Sequence, residues 1–443
     1  MQLRDSKVVI VGFGKSGQAA ARHCAERGAR VTVIDAQPAD RFAAAARALA
    51  AWPIAYRFGA QEAPELCAAD LVVASPGVPL QLPGLQAARA AGVPIVGEME
   101  LALAEAPRPV IAVTGTNGKS TTTTLISESL RASGIACATG GNLGTPLCDL
   151  LAEAARAAYW VIEVSSYQLE ITPSLHAAIA VLLNITPDHL DRYADFPAYV
   201  AAKTRLLAPL TPADTLIFNA EDPIVAEAAA HCRAVQVAFA AETQWGDGRI
   251  RVAVPGRMAH EWDLAATRLV GRHNRENILA AGLAAAAAGA RPTAVARVCR
   301  EFPGLPHRCQ FVREWRGIRF FDDSKGTNVG AVVKSVESFT DPVVLIAGGL
   351  DKGTGYAALQ PVARVKVRCA VLMGRARELM REALAGCTET LIVDGMAAAV
   401  RLAADRARPG DVVLLSPACA SFDMYDNYAE RGEDFARCVR ELQ

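Results

Sequence analysis

The chain has 443 residues, of which 52% are hydrophobic, and its 46 Lys and Arg balance 46 Asp and Glu. That length predicts roughly three domains with sizeable cores, and the zero net charge excludes a global field for nucleic acid or an anionic membrane surface. Arg4, Asp5 and Lys7 precede the first apolar run, against a signal peptide. The longest apolar stretch, Ile278 to Ala290, is too short to span a bilayer. Eleven cysteines, scattered without any C-x-x-C spacing, read as reduced thiols and a cytoplasmic protein.

In chain order, Lys7 to Phe13 reads as a buried strand, followed by Gly12, Gly14 and Gly17 at G-x-G-x-x-G spacing and a helix from Gln18 to Glu26. A second strand, Val31 to Ile34, ends in Asp35, and further strands are expected at Leu71 to Ala74 and Pro94 to Val96. This is a dinucleotide-binding fingerprint: the glycines admit a pyrophosphate and the acid is available to a ribose or base. Taken alone it leaves a nucleotide-sugar-like diphosphate, a dinucleotide and a vestigial turn all open. This first domain covers about residues 1–97.

The stretch Val110 to Thr121 organises the second domain, about residues 98–304. An apolar strand breaks into Gly115-Thr116-Asn117-Gly118, and Lys119-Ser120-Thr121 opens a helix. Such a turn gathers backbone N–H groups at a positive helix end. Lys119 is expected on the outer phosphates of a nucleoside triphosphate, and the Ser120 or Thr121 hydroxyl on Mg²⁺. The strict P-loop pattern has glycine where this chain has Val113. Two more strands, Tyr159 to Val164 and Ala177 to Ile185, lead into Glu163 to Glu170 and Asn184 to Asp191. Ligands of doubly wound sheets sit at such carboxyl ends, where Glu163, Asp188 and His189 fall. Beside triphosphate oxygens they read as a Mg²⁺ site; separately, Asp188 reads as a helix cap and His189 as a satisfied polar residue. Phe196 to Leu207 reads as a helix with Lys203 among small apolar neighbours, either snorkelling to the surface or buried as a functional amine. Asn274 is the expected N-cap of an alanine-rich helix through Ala288, and Asn277 offers an amide to an adenine edge.

Gly304 to Arg308 reads as a hinge into a third domain, about residues 305–443. Strands are expected at Ile318 to Phe321, Val343 to Ala347, Ala370 to Met373, Leu391 to Val393 and Val412 to Leu415. Polar clusters again follow strand ends: Asp322 to Asn328, Gly348 to Lys352 and Ser416 to Ser421. Lys325, Thr327, Lys352 and Ser421 suit a small dicarboxylate or a peptide terminus.

With these pieces in order, the chain resembles the Mur ligase family, ATP-dependent amide-forming enzymes of peptidoglycan precursor synthesis. The matching segments are Gly115 to Thr121, Gly141 to Gly144, Glu163 to Glu170, Asn184 to Tyr193, Lys203, His273 to Asn277, Gly304 to Arg308, Asp322 to Asn328 and Ser416 to Asp423. Asn117, the absence of an Asp-Asn-Pro-Arg signature and the full domain ahead of the loop place it nearest the branch that adds D-glutamate. The resemblance implies an α/β fold of three domains: Rossmann-like, central P-loop ATPase-like, and a second Rossmann-like domain. It also implies a cytoplasmic monomer that ligates D-glutamate to UDP-N-acetylmuramoyl-L-alanine through an acyl phosphate, without nucleic-acid partners or membrane insertion. Another amino acid, such as L-glutamate, and a non-ligase nucleotide-binding regulator are the alternatives.

Carried over residue by residue, the resemblance assigns Gly115, Thr116, Asn117, Gly118, Lys119, Ser120, Thr121, Asn277, Arg308 and Asp323 to ATP. It assigns Ser120, Glu163, His189 and Lys203 to two Mg²⁺ ions, with Lys203 carbamylated by CO₂ and Lys119, His189 and Lys203 in the catalytic set. Gly14, Lys15, Ser16, Asp35, Ser75, Gly77 and Asn142 fall to the UDP substrate, and Asp188, Lys325, Thr327, Lys352, Ser421 and Tyr428 to the amino acid. Ala36 and Gln37 stand where the family pattern has a hydroxyl and an arginine, and Tyr428 where it has phenylalanine.

Overall fold

The computed structural model describes residues 2–59, 64–190, 192–246, 249–256, 259–264, 266–269 and 271–443; Asp191 lies outside them. Its first sheet is built from β1 (Lys7–Val11), β2 (Arg30–Asp35), β3 (Ile54–Phe58), β4 (Leu71–Ala74) and β5 (Ile95–Val96). The strands are all parallel, in the order β3-β2-β1-β4-β5. Val8 to Val11 are all buried. A parallel strand is covered on both faces, which is why it reads as an unbroken apolar run. After β1 the backbone turns at Gly12 with φ 90°, and the Lys15–Glu26 helix starts directly behind it. Gly17 lets the helix close on the strand, since a Cβ there would fall 1.9 Å from the Gly12 carbonyl oxygen.

The central sheet has six parallel strands: β6 (Val110–Thr114), β7 (Cys137–Gly141), β8 (Tyr159–Glu163), β9 (Ile179–Leu182), β10 (Thr215–Asn219) and β11 (Val235–Phe239). Their order is β11-β10-β9-β6-β8-β7, so the loop after β6 emerges in the middle. A small antiparallel sheet of β12 (Trp245–Gly246), β13 (Arg249–Val252) and β14 (His260–Asp263) follows. The Arg272–Ala287 helix packs its small residues against it; a Cβ on Gly282 would fall 2.3 Å from the Trp262 ring.

Two local expectations are corrected. The alanine-rich helix is capped by Gly271, not by Asn274: the positive φ of 92° at Gly271 turns the chain earlier, and Asn274 lies inside the first turn. The helix from Phe196 runs only to Thr204 before tightening into a 3₁₀ turn at Arg205–Leu207.

The third sheet comprises β15 (Gln310–Trp315), β16 (Ile318–Asp322), β17 (Val343–Gly348), β18 (Val367–Met373), β19 (Glu389–Ile392) and β20 (Val412–Leu415). Its order is β15-β16-β20-β17-β18-β19, parallel except for the β15–β16 hairpin. β15 was not anticipated, because charged Arg313 and Glu314 and a solvent-facing Phe311 break any apolar run.

The cores divide unevenly. One apolar cluster runs from Val8 of the first sheet and Phe13 of the loop behind it through Met99 and Leu101 to Val110, Trp160 and Leu182 of the second. The two clusters on the faces of the third sheet contain only residues of that unit. The third unit therefore meets the second mainly through polar side chains. Among the described residues no helix is long and apolar enough to cross a membrane.

Gly17→Ala is expected to lower stability by about 1–3 kcal/mol, because the new methyl must push the helix off the strand. A urea midpoint equal to that of the native protein would contradict this packing argument.

Candidate functional site

Val113 is fully buried inside β6, paired with Glu163, so the phosphate-loop turn starts later than in the strict pattern, at Gly115. Gly115 has φ 149° and lies against Leu183 and Asn184, where a Cβ would be 3.0 Å from the Leu183 Cβ. The loop is pinned by its neighbour after β9. Thr116 N donates to Asn184 O at 2.8 Å, Asn117 N donates to Asn184 Oδ1 at 2.8 Å, and Asn184 Nδ2 donates back to Asn117 O at 3.1 Å. Gly118, left-handed at φ 88°, then caps the Lys119–Ala132 helix.

Two lysines converge on this turn. Lys119 Nζ folds back to donate to Gly115 O at 3.0 Å and Thr116 O at 2.8 Å. Lys203 Nζ donates to the same Gly115 O at 2.8 Å, 4.7 Å above the Tyr199 ring. Lys203 is 2% exposed, so it does not snorkel; burial first, then the Lys119 charge, pushes its amine well below the usual lysine range. Burial likewise lowers Lys119, although the Glu163 carboxylate opposes it.

The neighbouring strand ends supply the acids. Glu163, 2% exposed, closes β8; its Oε1 accepts from Asn142 Nδ2, while Oε2 is buried without a hydrogen-bond partner. Burial alone would raise its carboxyl, but the Lys119 charge, then the nearby Ser120 hydroxyl and the Asn142 hydrogen bond, hold it below the ordinary value. Asp188 does not cap a helix: one oxygen accepts from His189 N at 2.9 Å, and Lys352 Nζ stands 3.5 Å away. Against the burial penalty, Lys352 and then His189 hold Asp188 low. Burial drives His189 down to about 4 despite the Asp188 charge, so its imidazole is neutral at pH 7.

The third unit covers this floor. Arg308 Nη2 donates to Ser120 Oγ at 2.7 Å, Lys352 Nζ donates to Thr327 Oγ1 at 3.4 Å, and Lys325 Nζ lies 3.8 Å above the Tyr428 ring. A cavity of about 230 Å³ results, lined among others by Thr116, Lys119, Asn142, Glu163, Asp188, His189, Lys203, Arg308, Lys325, Thr327 and Lys352. A smaller one, about 70 Å³, lies across the loop between Thr121, Asn277, Arg308 and Asp323. Asp323 is pushed up to about 6 by burial, against hydrogen bonds from Ser416 Oγ and Ser335 Oγ, each 2.7 Å from its Oδ2.

The remaining sequence-selected residues lie elsewhere. Gly14, Lys15, Ser16, Asp35, Ser75 and Gly77 gather at the carboxyl ends of β1, β2 and β4, where the strand order reverses, and line neither cavity. No atom stands within 4 Å of a Cβ built on Gly14 or Gly77, so the space beside them is open. Asp35 is engaged by its own loop, accepting from Phe13 N at 2.7 Å and Gln37 N at 2.8 Å. Ser75 Oγ donates to Gly12 O at 2.9 Å. Ser421, 3% exposed, and Tyr428 stand outside the larger cavity. Sequence reasoning missed Tyr199, whose hydroxyl pairs with Thr116 Oγ1 at 3.1 Å; its place one helical turn before Lys203 was the available signal.

Comparison with known proteins agrees along the chain. Residues 6–97 match the Mur ligase MurD-like N-terminal domain, residues 113–285 the Mur ligase middle domain and residues 307–419 the Mur ligase glutamate ligase domain. A protein of Geotalea uraniireducens named UDP-N-acetylmuramoylalanine–D-glutamate ligase is 42% identical, over 100% of this chain and 99% of its own. One of the same name from Geobacter metallireducens is also 42% identical, over 100% and 99%. Among solved structures, UDP-N-acetylmuramate-alanine ligase from Thermotoga maritima superposes with TM-score 0.62 at 19% identity, over 99% of this chain and 100% of that one. MurF from Acinetobacter baumannii gives 0.62 at 17%, over 99% and 92%; at such identities the likeness concerns the fold alone.

Burial, followed by the Arg308 charge, lowers Lys325 to about 8, below the roughly 10.4 of an unfolded lysine. A lowered lysine disfavours its own protonated form, so its share of stability is lost as pH falls through that window. Lys325→Met is therefore expected to melt higher than the native protein at pH 7, with the advantage shrinking by pH 10. A lower melting temperature at pH 7 would contradict this.

Proposed function

The chain belongs to the Mur ligase family, and we propose that it joins D-glutamate to the L-alanine carboxylate of UDP-N-acetylmuramoyl-L-alanine, converting ATP to ADP and phosphate. The carrying observation is one 230 Å³ cavity where the lysine of a phosphate loop meets Lys325 and Lys352 of another unit. Cations from both sides suit a triphosphate facing an amino acid that bears two carboxylates. In this reading residues 1–97 hold the UDP substrate, residues 98–304 hold ATP, and residues 305–443 hold the amino acid, in a cytoplasmic monomer.

A carboxylate does not condense with an amine in water without a leaving group. The L-alanine carboxylate oxygen attacks the γ-phosphorus of ATP, ADP leaves, and an acyl phosphate remains. The D-glutamate nitrogen then adds to the acyl carbon, loses a proton, and phosphate departs. Lys119 meets the charge of the transferring phosphoryl group, and the loop amides orient it. Asn277, Arg308 and Asp323 take the nucleoside end. Lys325, Thr327 and Lys352 hold the glutamate carboxylates near Asp188, with Ser421 and Tyr428 behind them. Docking of the third unit excludes water from the acyl phosphate.

The donor set fits Mg²⁺. Glu163 Oε2 is a buried carboxylate oxygen without a partner, His189 is neutral, and the Ser120 hydroxyl is close by. Among the described residues no three His, Cys, Asp or Glu side chains make a complete cage, as suits an ion that leans on substrate phosphates. Two ions held by Ser120, Glu163, His189 and a carbamylated Lys203 would neutralise phosphate charge. The lowering of the Lys203 amine well below the usual lysine range supports that modification: once unprotonated, its lone pair bonds the carbon of CO₂, and a proton is released.

The test is phosphate release from UDP-N-acetylmuramoyl-L-alanine, ATP and Mg²⁺ with D- or L-glutamate. D-glutamate alone is expected to support turnover, and Lys119→Ala is expected to remain folded with activity at least about a thousandfold lower. Native-level turnover in that variant would remove the loop from the reaction. Lys203→Ala is expected to lose most activity and regain part of it with acetate or formate, which restore an anion at the vacated place, whereas Lys203→Arg gains nothing. Full activity of Lys203→Ala without added carboxylate would defeat the carbamate assignment.

A further inference from the structure

Asn328 stands at the seam between the second and third units. It is the N-cap of the Val329–Glu337 helix, its Oδ1 accepting from Ala331 N at 2.8 Å. The amide nitrogen faces the other unit, donating to Asp188 Oδ2 at 3.1 Å and to Asn117 Oδ1 of the phosphate loop at 3.2 Å. The backbone donor at Ala331 fixes which end of the amide is oxygen, so both N–H bonds point across the seam. Asn328 is 6% exposed, and each of its side-chain hydrogen-bonding groups has a partner. The fit extends to the next turn. Gly330 brings the helix so close that a Cβ there would be 3.3 Å from Thr186 Oγ1 and 3.7 Å from Asn117 Nδ2. Asp188 is thus approached from the third unit at both oxygens, by Asn328 at Oδ2 and by Lys352 at Oδ1.

We propose that Asn328 is a positioning residue for the ligation: a clasp that locks the third unit over the phosphate loop and fixes Lys325, Thr327 and Lys352 against the reacting carboxylate. The inference rests on the ligase reading. With no buried apolar cluster crossing this seam among the described residues, the closed arrangement leans on polar pairs such as this one. Asn328 lines the larger cavity, but its amide nitrogen is spent on Asn117 and Asp188, so it acts through those two partners. A helix cap alone would need only the Oδ1 acceptor; the two donors across the seam are the part a cap does not use.

Three substitutions separate the roles. Asn328→Ser keeps a capping oxygen but loses both donors to the second unit. Asn328→Asp caps equally well and sets a carboxylate against Asp188. Asn328→Ala loses cap and clasp together. If the clasp is real, the Ser and Asp variants melt as the native enzyme does and bind UDP-N-acetylmuramoyl-L-alanine with unchanged affinity. Their kcat falls about tenfold to a hundredfold, most for Asp, and X-ray scattering with ATP and the UDP substrate shows a less compact particle than the native enzyme. Native kcat in both would overturn the clasp and leave Asn328 a cap only. Loss of kcat with native compactness would also overturn it. Absence of native turnover with either glutamate isomer would instead defeat the ligase reading, so the two failures are distinct.

Discussion

Everything in the centre of this molecule depends on one carbonyl oxygen. Gly115 O receives both Lys119 and Lys203, and two ammonium groups cannot share such a point in a poorly hydrated interior without strong mutual repulsion. The fold resolves the conflict asymmetrically. Burial lowers both amines, but the Glu163 charge is the strongest influence opposing it at Lys119, whereas Lys203, sealed against Tyr199, is lowered further, well below the usual lysine range. The loop thus holds two amines in one turn whose surroundings favour the charged form to different degrees. Neither would be placed this way without Gly115, whose φ of 149° brings its carbonyl to both.

The acids around that point obey a related rule. Glu163 and Asp188 are buried yet ionised, each because a cation or hydrogen-bond donors outweigh the cost of burial. Asp323 and Lys325 go the other way, pushed toward neutrality by burial. Environments that drive neighbouring titratable groups apart are the usual mark of a site built for chemistry. Here the groups come from two sheets, so the pattern exists only when the third unit is docked.

Much of this was legible in the residues. Parallel strands of an α/β sheet are apolar throughout, so β1, β4, β6 and β20 declare themselves, and the polar residues that follow them mark the ligand edge. The strand–glycine turn–helix of this loop was readable despite Val113, because the strand, the Gly118-Lys119-Ser120 core and the helix do not need a glycine at that position. What stayed hidden was whatever depends on contacts distant in sequence. β15 is an edge strand whose residues pair rather than bury. Gly271 takes the cap from Asn274 through a backbone angle that composition does not display. Lys203 allowed two readings until its burial was known. That Asp35 also braces its own glycine loop, and that Ser421 and Tyr428 lie outside the lining of the larger cavity, could not be read from the residues.

The partition of the apolar cores has a thermodynamic consequence. The first two units share one continuous core through Met99, Leu101 and Trp160, while the third keeps its cores to itself. Cooperativity follows shared apolar packing, so the chain is expected to unfold as two bodies rather than three, one of them about twice the size of the other. Heat absorbed on unfolding would then resolve into two endotherms of unequal area in the empty protein. Any ligand held by residues from both sides of the seam would couple the bodies by mass action, drawing the two endotherms together until they merge.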